Sequence, residues 1–205
     1  MLFTRYELYH KNLSDIEPRG LCYTGQVCNV GTRMSVVEQA DFVLMVYEAA
    51  HELGHSLGAN HDGEGKAIAC KASDGFIMSP KYIHDTYGTP FPKNRWTFSK
   101  CSLNSFKKTL KNKTCLKDQG NYYDDEYFRH LMQEPGEAFL VAEQCELING
   151  RRSVLCETVH EYMCLLMRCT EPKTGRCIEI THSAARGTKC GINKWCIDDL
   201  CVPKS

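Results

Sequence analysis

The sequence predicts a mixed α/β unit followed by a small disulfide-rich module, on three observations. The first residues alternate apolar and polar side chains as a half-buried strand does, and one segment near residue 45 repeats apolar residues every three or four positions. From Cys145 to Cys201, eight of the 13 cysteines crowd into a stretch too short for a large apolar core. At 205 residues the chain is long enough for one full unit and a smaller one, and 42% hydrophobic content is ordinary for globular protein. Lys plus Arg and Asp plus Glu both total 25, which excludes a general attraction to nucleic acid or to an anionic membrane. Function must therefore come from local sites.

Taken in order, LFTRYELY reads as a strand and KNLSDIEPRG as a polar break. GLCYTGQVC, bounded by Gly20 and Gly25, reads as a short extended segment suited to a sheet edge. Val37, Phe42, Val43, Val46, Ala49, Ala50, Leu53 and Leu57 mark an amphipathic helix from about Val36 to Leu57, with Gly58 as its C-cap. After His61 the chain is rich in glycine and proline, and a second helix with a basic face is expected near Ser99 to Lys111. The acidic and aromatic run before Cys145 suits a linker. The expected domains are residues 1–115, a linker at 116–144, and a cysteine-rich module at 145–205.

Thirteen cysteines point to an oxidising, extracellular compartment, and the sequons Asn12-Leu13-Ser14 and Asn112-Lys113-Thr114 agree with secretion. The start has no charged and apolar leader, so the chain is expected to be a fragment with any signal peptide upstream. No segment approaches the ~20 apolar residues of a membrane span.

Residues 51 to 62 read HELGHSLGANHD. Positions four apart share a helix face, so His51 and His55 can place two ring nitrogens on one ion at ~2.1 Å. Gly58 lets the backbone turn sharply and return His61 as a third ligand. Three protein ligands leave one position open, the pattern of catalytic zinc, whereas structural sites close with four. Glu52, one residue beyond His51, points beside the ion, where a carboxylate can deprotonate a water. The pattern points to peptide hydrolysis without a covalent intermediate.

The string His51-Glu52-x-x-His55-x-x-Gly58-x-x-His61-Asp62 resembles the metzincin zinc signature, with Asp62 as in its adamalysin or reprolysin branch. FIMSP resembles the Met-turn of that family, which implies that Met78 forms an apolar floor under the zinc. The resemblance implies a partial zincin-type catalytic domain that lacks its first two strands and backing helix, because LFTRYELY resembles the third strand. An exposed sheet edge and one exposed face of the active-site helix follow. GLCYTGQVC resembles the strand that lines the cleft and pairs with substrate, and FSKCS resembles the entry to the last helix. By analogy Cys28 would pair with Cys101 and Cys70 with Cys115, and a calcium ion would be held by Glu7, the Cys101 carbonyl and Asn104. Between Pro80 and Arg95 lies the expected S1′ loop, whose composition reveals no pocket.

The tail, through Glu134-Pro135-Gly136, Gln144-Cys145 and GTKCGINKWCIDDLCV, resembles the disintegrin-like cysteine-rich module of the ADAM-TS proteins and of tick-type salivary reprolysins. Such modules bind substrate, matrix or cell surfaces, here through residues 145–201. No RGD tripeptide is present. Its eight cysteines allow 105 pairings. Cys22 stands where the family has alanine and makes the total odd, as a free buried thiol or a partner of a cysteine outside the chain. His10, His84, His130, His160 and His182 show no ligand spacing and are expected at the surface. Two functions are compatible with this reading. One is a secreted zinc metalloendopeptidase acting on extracellular proteins, and the other is a noncatalytic secreted protein that binds through residues 145–201.

Overall fold

The computed structural model describes residues 1–9, 18–39, 42–80, 94–117, 133–156 and 158–203. Asn12, His10, His84, His130 and most of the expected S1′ loop lie outside these residues. The chain forms two compact units, Met1–Gln119 and Gly120–Ser205.

In the first unit, β1 (Leu2–Thr4), β2 (Gly20–Cys22) and β3 (Ser35–Glu38) form a sheet in the order β1-β3-β2. β1 runs parallel to β3, and β2 is the antiparallel edge strand, as its short glycine-bounded segment suggested. Helix α1 spans Phe42–Ser56, six residues later than the apolar spacing predicted. Val36 and Val37 belong instead to β3, whose central position suits β-branched side chains. Tyr47 is buried against Ile77 and Met78, with Ala50, Trp96, Phe98 and Phe106 packed around them. The far face of α1 leaves Val46 47% and Leu53 46% exposed, and β1 leaves Leu2 and Phe3 exposed.

Helix α2 (Lys100–Leu110) is capped by Ser99, whose hydroxyl oxygen accepts from the Ser102 amide at 3.2 Å. Among the described residues two disulfides flank it, Cys70–Cys101 from its first turn and Cys28–Cys115 from the chain just beyond its last. The expected pairings Cys28–Cys101 and Cys70–Cys115 are therefore exchanged. An 11-residue helix is ~16 Å long, and a disulfide requires Cα atoms within ~7 Å. The N-terminal end of α2 lies at the loop that follows the histidine turn, with Ser99 bonded to Asp62, so Cys101 meets Cys70. Its C-terminal part packs Thr109 against Gly58, where Val27 is also bonded to the end of α1, so Cys115 meets Cys28.

The second unit contains α3 (Pro135–Ala138), α4 (Val141–Asn149), a two-stranded sheet of β4 (Met167–Thr170) and β5 (Cys177–His182), and a three-stranded sheet of β6 (Lys189–Gly191), β7 (Lys194–Ile197) and β8 (Leu200–Pro203). Its core is Cys145, Met163, Cys164, Met167, Cys169, Ala184, Cys190 and Cys196, largely half-cystines rather than aliphatic side chains. The pairs are Cys145–Cys169, Cys156–Cys177, Cys164–Cys196 and Cys190–Cys201. Residues 135–138 and 141–144, expected within a linker, are helical and belong to this unit. The buried Gln144 side chain donates to the Phe139 carbonyl and the Thr188 hydroxyl and accepts from the Ala185 amide, at 2.8–2.9 Å. Gly136 lies so close to Thr188 that a Cβ would come within 2.1 Å of its backbone nitrogen.

Candidate metal centre

Helix α1 presents His51, Glu52 and His55, and the chain must then reverse. Gly58 does so with φ +103°, a conformation costly to residues with a Cβ, and its amide closes the helix end on the His55 carbonyl at 2.8 Å. A side chain there would also strike Thr109 of α2. The turn returns His61 to the helix.

The three imidazoles converge through one kind of atom. Nε2 of His61 lies 3.2 Å from Nε2 of His51 and 3.1 Å from Nε2 of His55. Around a tetrahedral ion with ~2.1 Å bonds, ligand atoms stand roughly 3.4 Å apart, so the spacing fits zinc. The opposite nitrogens settle the tautomers. Nδ1–H of His51 donates to the Ile77 carbonyl at 2.7 Å, that of His55 to the Ala59 carbonyl at 2.8 Å, and that of His61 to the Glu64 carboxylate at 3.3 Å. These partners only accept, so each neutral ring has its proton on Nδ1 and a lone pair on Nε2. Three lone pairs facing one another repel unless a cation lies among them, which is the chemistry of a metal site with an oriented outer shell. Burial lowers the His51 pKa to about 4 and also lowers that of His55, keeping both rings in the ligating, neutral form.

Glu52 is 5% exposed and burial raises its pKa. Edge strand β2 covers it: a Cβ on Gly20 would come within 2.5 Å of the Glu52 side chain, and the Cys22 thiol donates to the Glu52 carbonyl at 3.2 Å. Cys22 is the free cysteine among the described residues and is half-buried, its pKa pushed up to about 12 by burial and by Glu52. Met78 is fully buried beneath the helix. A Cβ on Gly54 would come within 2.4 Å of its sulfur, so the glycine between the two helix histidines is what lets the methionine approach. Asp62, fully buried, donates its amide to the Met78 carbonyl at 2.8 Å and accepts from the Ser99 hydroxyl at 2.7 Å. It thereby ties the histidine turn to the Met78 turn and to α2, and burial raises its pKa.

All the residues expected at the zinc centre are thus brought together. Gly20, Gly54 and Glu64 also shape it. Their role depends on contacts between segments and has no signature in sequence spacing, although Glu64 three residues after His61 is the kind of carboxylate a ligand histidine recruits. Of the expected calcium set, Cys101 and Asn104 lie on α2 and Glu7 follows β1. A second cysteine cluster, Cys164, Cys190 and Cys201, consists of disulfide-bonded sulfurs and is not a metal site.

Comparison with known proteins agrees with this geometry. Residues 7–120 match the model of the reprolysin (M12B) family zinc metalloproteases, and residues 135–202 match that of the ADAMTS cysteine-rich domain 2. The chain is 33% identical over 206 residues to a disintegrin and metalloproteinase with thrombospondin motifs 7 of Rattus norvegicus, covering 100% of this chain and 12% of the relative. It is 29% identical over 208 residues to the motifs 13 protein of Mus musculus, covering 98% of this chain and 14% of that protein. A Bombyx mori protein described as a disintegrin and metalloproteinase with thrombospondin motifs like is 29% identical over 197 residues, with 89% and 26% covered. The chain therefore spans a minor part of these relatives. No helix among the described residues is long and apolar enough to cross a membrane.

Proposed function

The chain belongs to the reprolysin (M12B) family of zinc metalloproteases, and from that premise we propose that it is a secreted zinc-dependent endopeptidase acting on extracellular proteins. The observation that carries the reading is the convergence of three Nε2 lone pairs beside a buried carboxylate. When bound, zinc supplies a Lewis acid that polarises the peptide carbonyl and makes a water acidic enough to lose a proton near neutral pH. His51, His55 and His61 would hold that ion through their Nε2 atoms. Glu52 accepts the proton of the attacking water and passes it to the leaving amine nitrogen. Burial raises the pKa of the Glu52 carboxyl, which strengthens it as an acceptor of that proton. Edge strand β2, packed on Glu52 through Gly20, offers backbone groups to which an extended substrate adds as a further strand. The cysteine-rich unit, residues 145–201, binds substrate or matrix and raises the local concentration of cleavable bonds.

A second reading is a noncatalytic binding protein acting through the cysteine-rich unit. The half-exposed Val46 and Leu53 on the helix that bears the zinc ligands favour it, because they leave the back of the site uncovered.

Replacing Glu52 with Gln separates the two. The purified chain should hold one zinc per molecule, and Glu52→Gln should keep that zinc while cleavage of casein or gelatin falls at least ~10²-fold, the lower end of what a general base contributes. Cleavage that survives the substitution sinks the role given to Glu52. Absence of cleavage by a zinc-loaded wild-type chain favours the binding reading.

A further inference from the structure

We propose that the exposed face of helix α2 and the turn after it form a binding surface for a linear sulfated polysaccharide. The chain is neutral overall, yet between Asp85 and Asp118 the sequence has no acidic residue and eight basic ones, seven of them lysine, and six of these lysines, at 100, 107, 108, 111, 113 and 117, lie on α2 or just after it. The helix sorts them. Cys101, Ser102, Ser105, Phe106 and Thr109 turn inward, where Cys101 meets Cys70, Phe106 stacks edge-on with Phe98, and Thr109 packs on Gly58. The exposed positions 100, 103, 104, 107, 108 and 111 then form one continuous stripe in which four residues are lysine. Among the described residues none of the six lysines is paired with a carboxylate.

Helix stability does not account for this placement. Lys107 and Lys108 do lie in the last turn, where a cation favours the helix dipole. Lys100 occupies the first helical position, at the positive end, where a cation is unfavourable, and Lys113 and Lys117 lie beyond the helix. What the six share is a common sign along a strip whose helical part alone is ~16 Å long, which fits a polyanion with regularly spaced charges. A membrane-seated helix would need its apolar face free, and here that face is buried in the unit. The choice of a sulfated polysaccharide over other polyanions rests on the extracellular placement proposed above; the charge pattern itself does not.

The test is binding of the full chain to immobilised heparin across a salt series. Wild type should be retained at physiological ionic strength. Lys107→Gln, Lys108→Gln and Lys111→Gln combined should elute earlier and flatten the slope of log affinity against log salt by about 3, roughly one per lysine removed. The corresponding triple arginine variant should restore retention, which separates lost charge from lost folding. A Lys173→Gln, Lys189→Gln pair in the second unit should elute with wild type. Failure of wild type to bind, or coelution of the triple glutamine variant with it, overturns the proposal, as does tighter lysine-dependent binding to phosphatidylserine vesicles than to heparin. Zinc content and cleavage of a short peptide should be the same in wild type and the glutamine variant, so loss of this surface and loss of the proposed catalysis are read separately.

Discussion

Glu64 is exposed along much of its side chain, yet its carboxylate is the acceptor that keeps the His61 proton on Nδ1. The other two ligand rings are held by backbone carbonyls, which no substitution removes, so His61 is the ring whose orientation depends on a side chain. Glu64→Ala should weaken zinc binding about 10-fold, the low end for a residue behind a metal ligand because solvent and salt screen this one. Glu64→Gln, whose amide oxygen still accepts, should fall between. A chelator competition titration measures this, and cleavage at saturating zinc should stay close to wild type. An unchanged zinc affinity in the alanine variant would mean that the contact does not hold the ring. At this scale the convergence of His51, His55 and His61 was legible in the sequence, because a helix converts a spacing of four into proximity and Gly58 marks the reversal. The contacts of Glu64 and Gly20 were not, since nothing in a linear spacing says that Gly20 will lie against the Glu52 side chain.

Between the two helix histidines, Gly54 has a role opposite to that of a helix interior glycine elsewhere. On an open helix, Gly→Ala stabilises by ~1 kcal/mol. Here the added methyl meets the fully buried Met78 at its sulfur and Phe98 at Cε1, at 2.4 and 2.9 Å. Overpacking of this kind costs ~1–3 kcal/mol, so Gly54→Ala should lower the thermal midpoint of the first unit rather than raise it. A raised midpoint would show that Met78 moves aside at no cost. The start of α1 illustrates where periodicity misleads: Val36 and Val37 satisfy a helical repeat as well as a strand, and only the pairing of β3 with both β1 and β2 decides. The disulfide exchange has a similar origin. Which cysteine meets which depends on the direction in which α2 crosses the zinc turn, and the sequence carries the helix but not its direction.

At the scale of the whole molecule, the two units are stabilised by different means: the first has an aromatic and aliphatic core beside a metal site, the second a core of half-cystines. Each contains one of the two tryptophans, Trp96 and Trp195. Zinc at 100 times its dissociation constant stabilises the folded state by ~2.7 kcal/mol. Chelation should therefore lower the midpoint reported by Trp96 in a Trp195→Phe variant and leave that reported by Trp195 in a Trp96→Phe variant unchanged. A shift of both by the same amount would show that the units unfold as one. Cysteine density leaves residues 135–144 in a linker, although Glu134-Pro135-Gly136 and Gln144 carry the tail's resemblance, and what ties them to the second unit is one buried glutamine and one close glycine contact. The bond between Cys28 and Cys115 has a further consequence. It closes a covalent ring that contains all three histidines, Glu52 and Met78, with the Cys70–Cys101 bond nested inside it. A single backbone cut between Cys70 and Cys101, by the protein itself or by another protease, leaves the pieces joined on both sides of the break. Autolysis there would pass unseen on a nonreducing gel and appear as fragments only after the disulfides are opened.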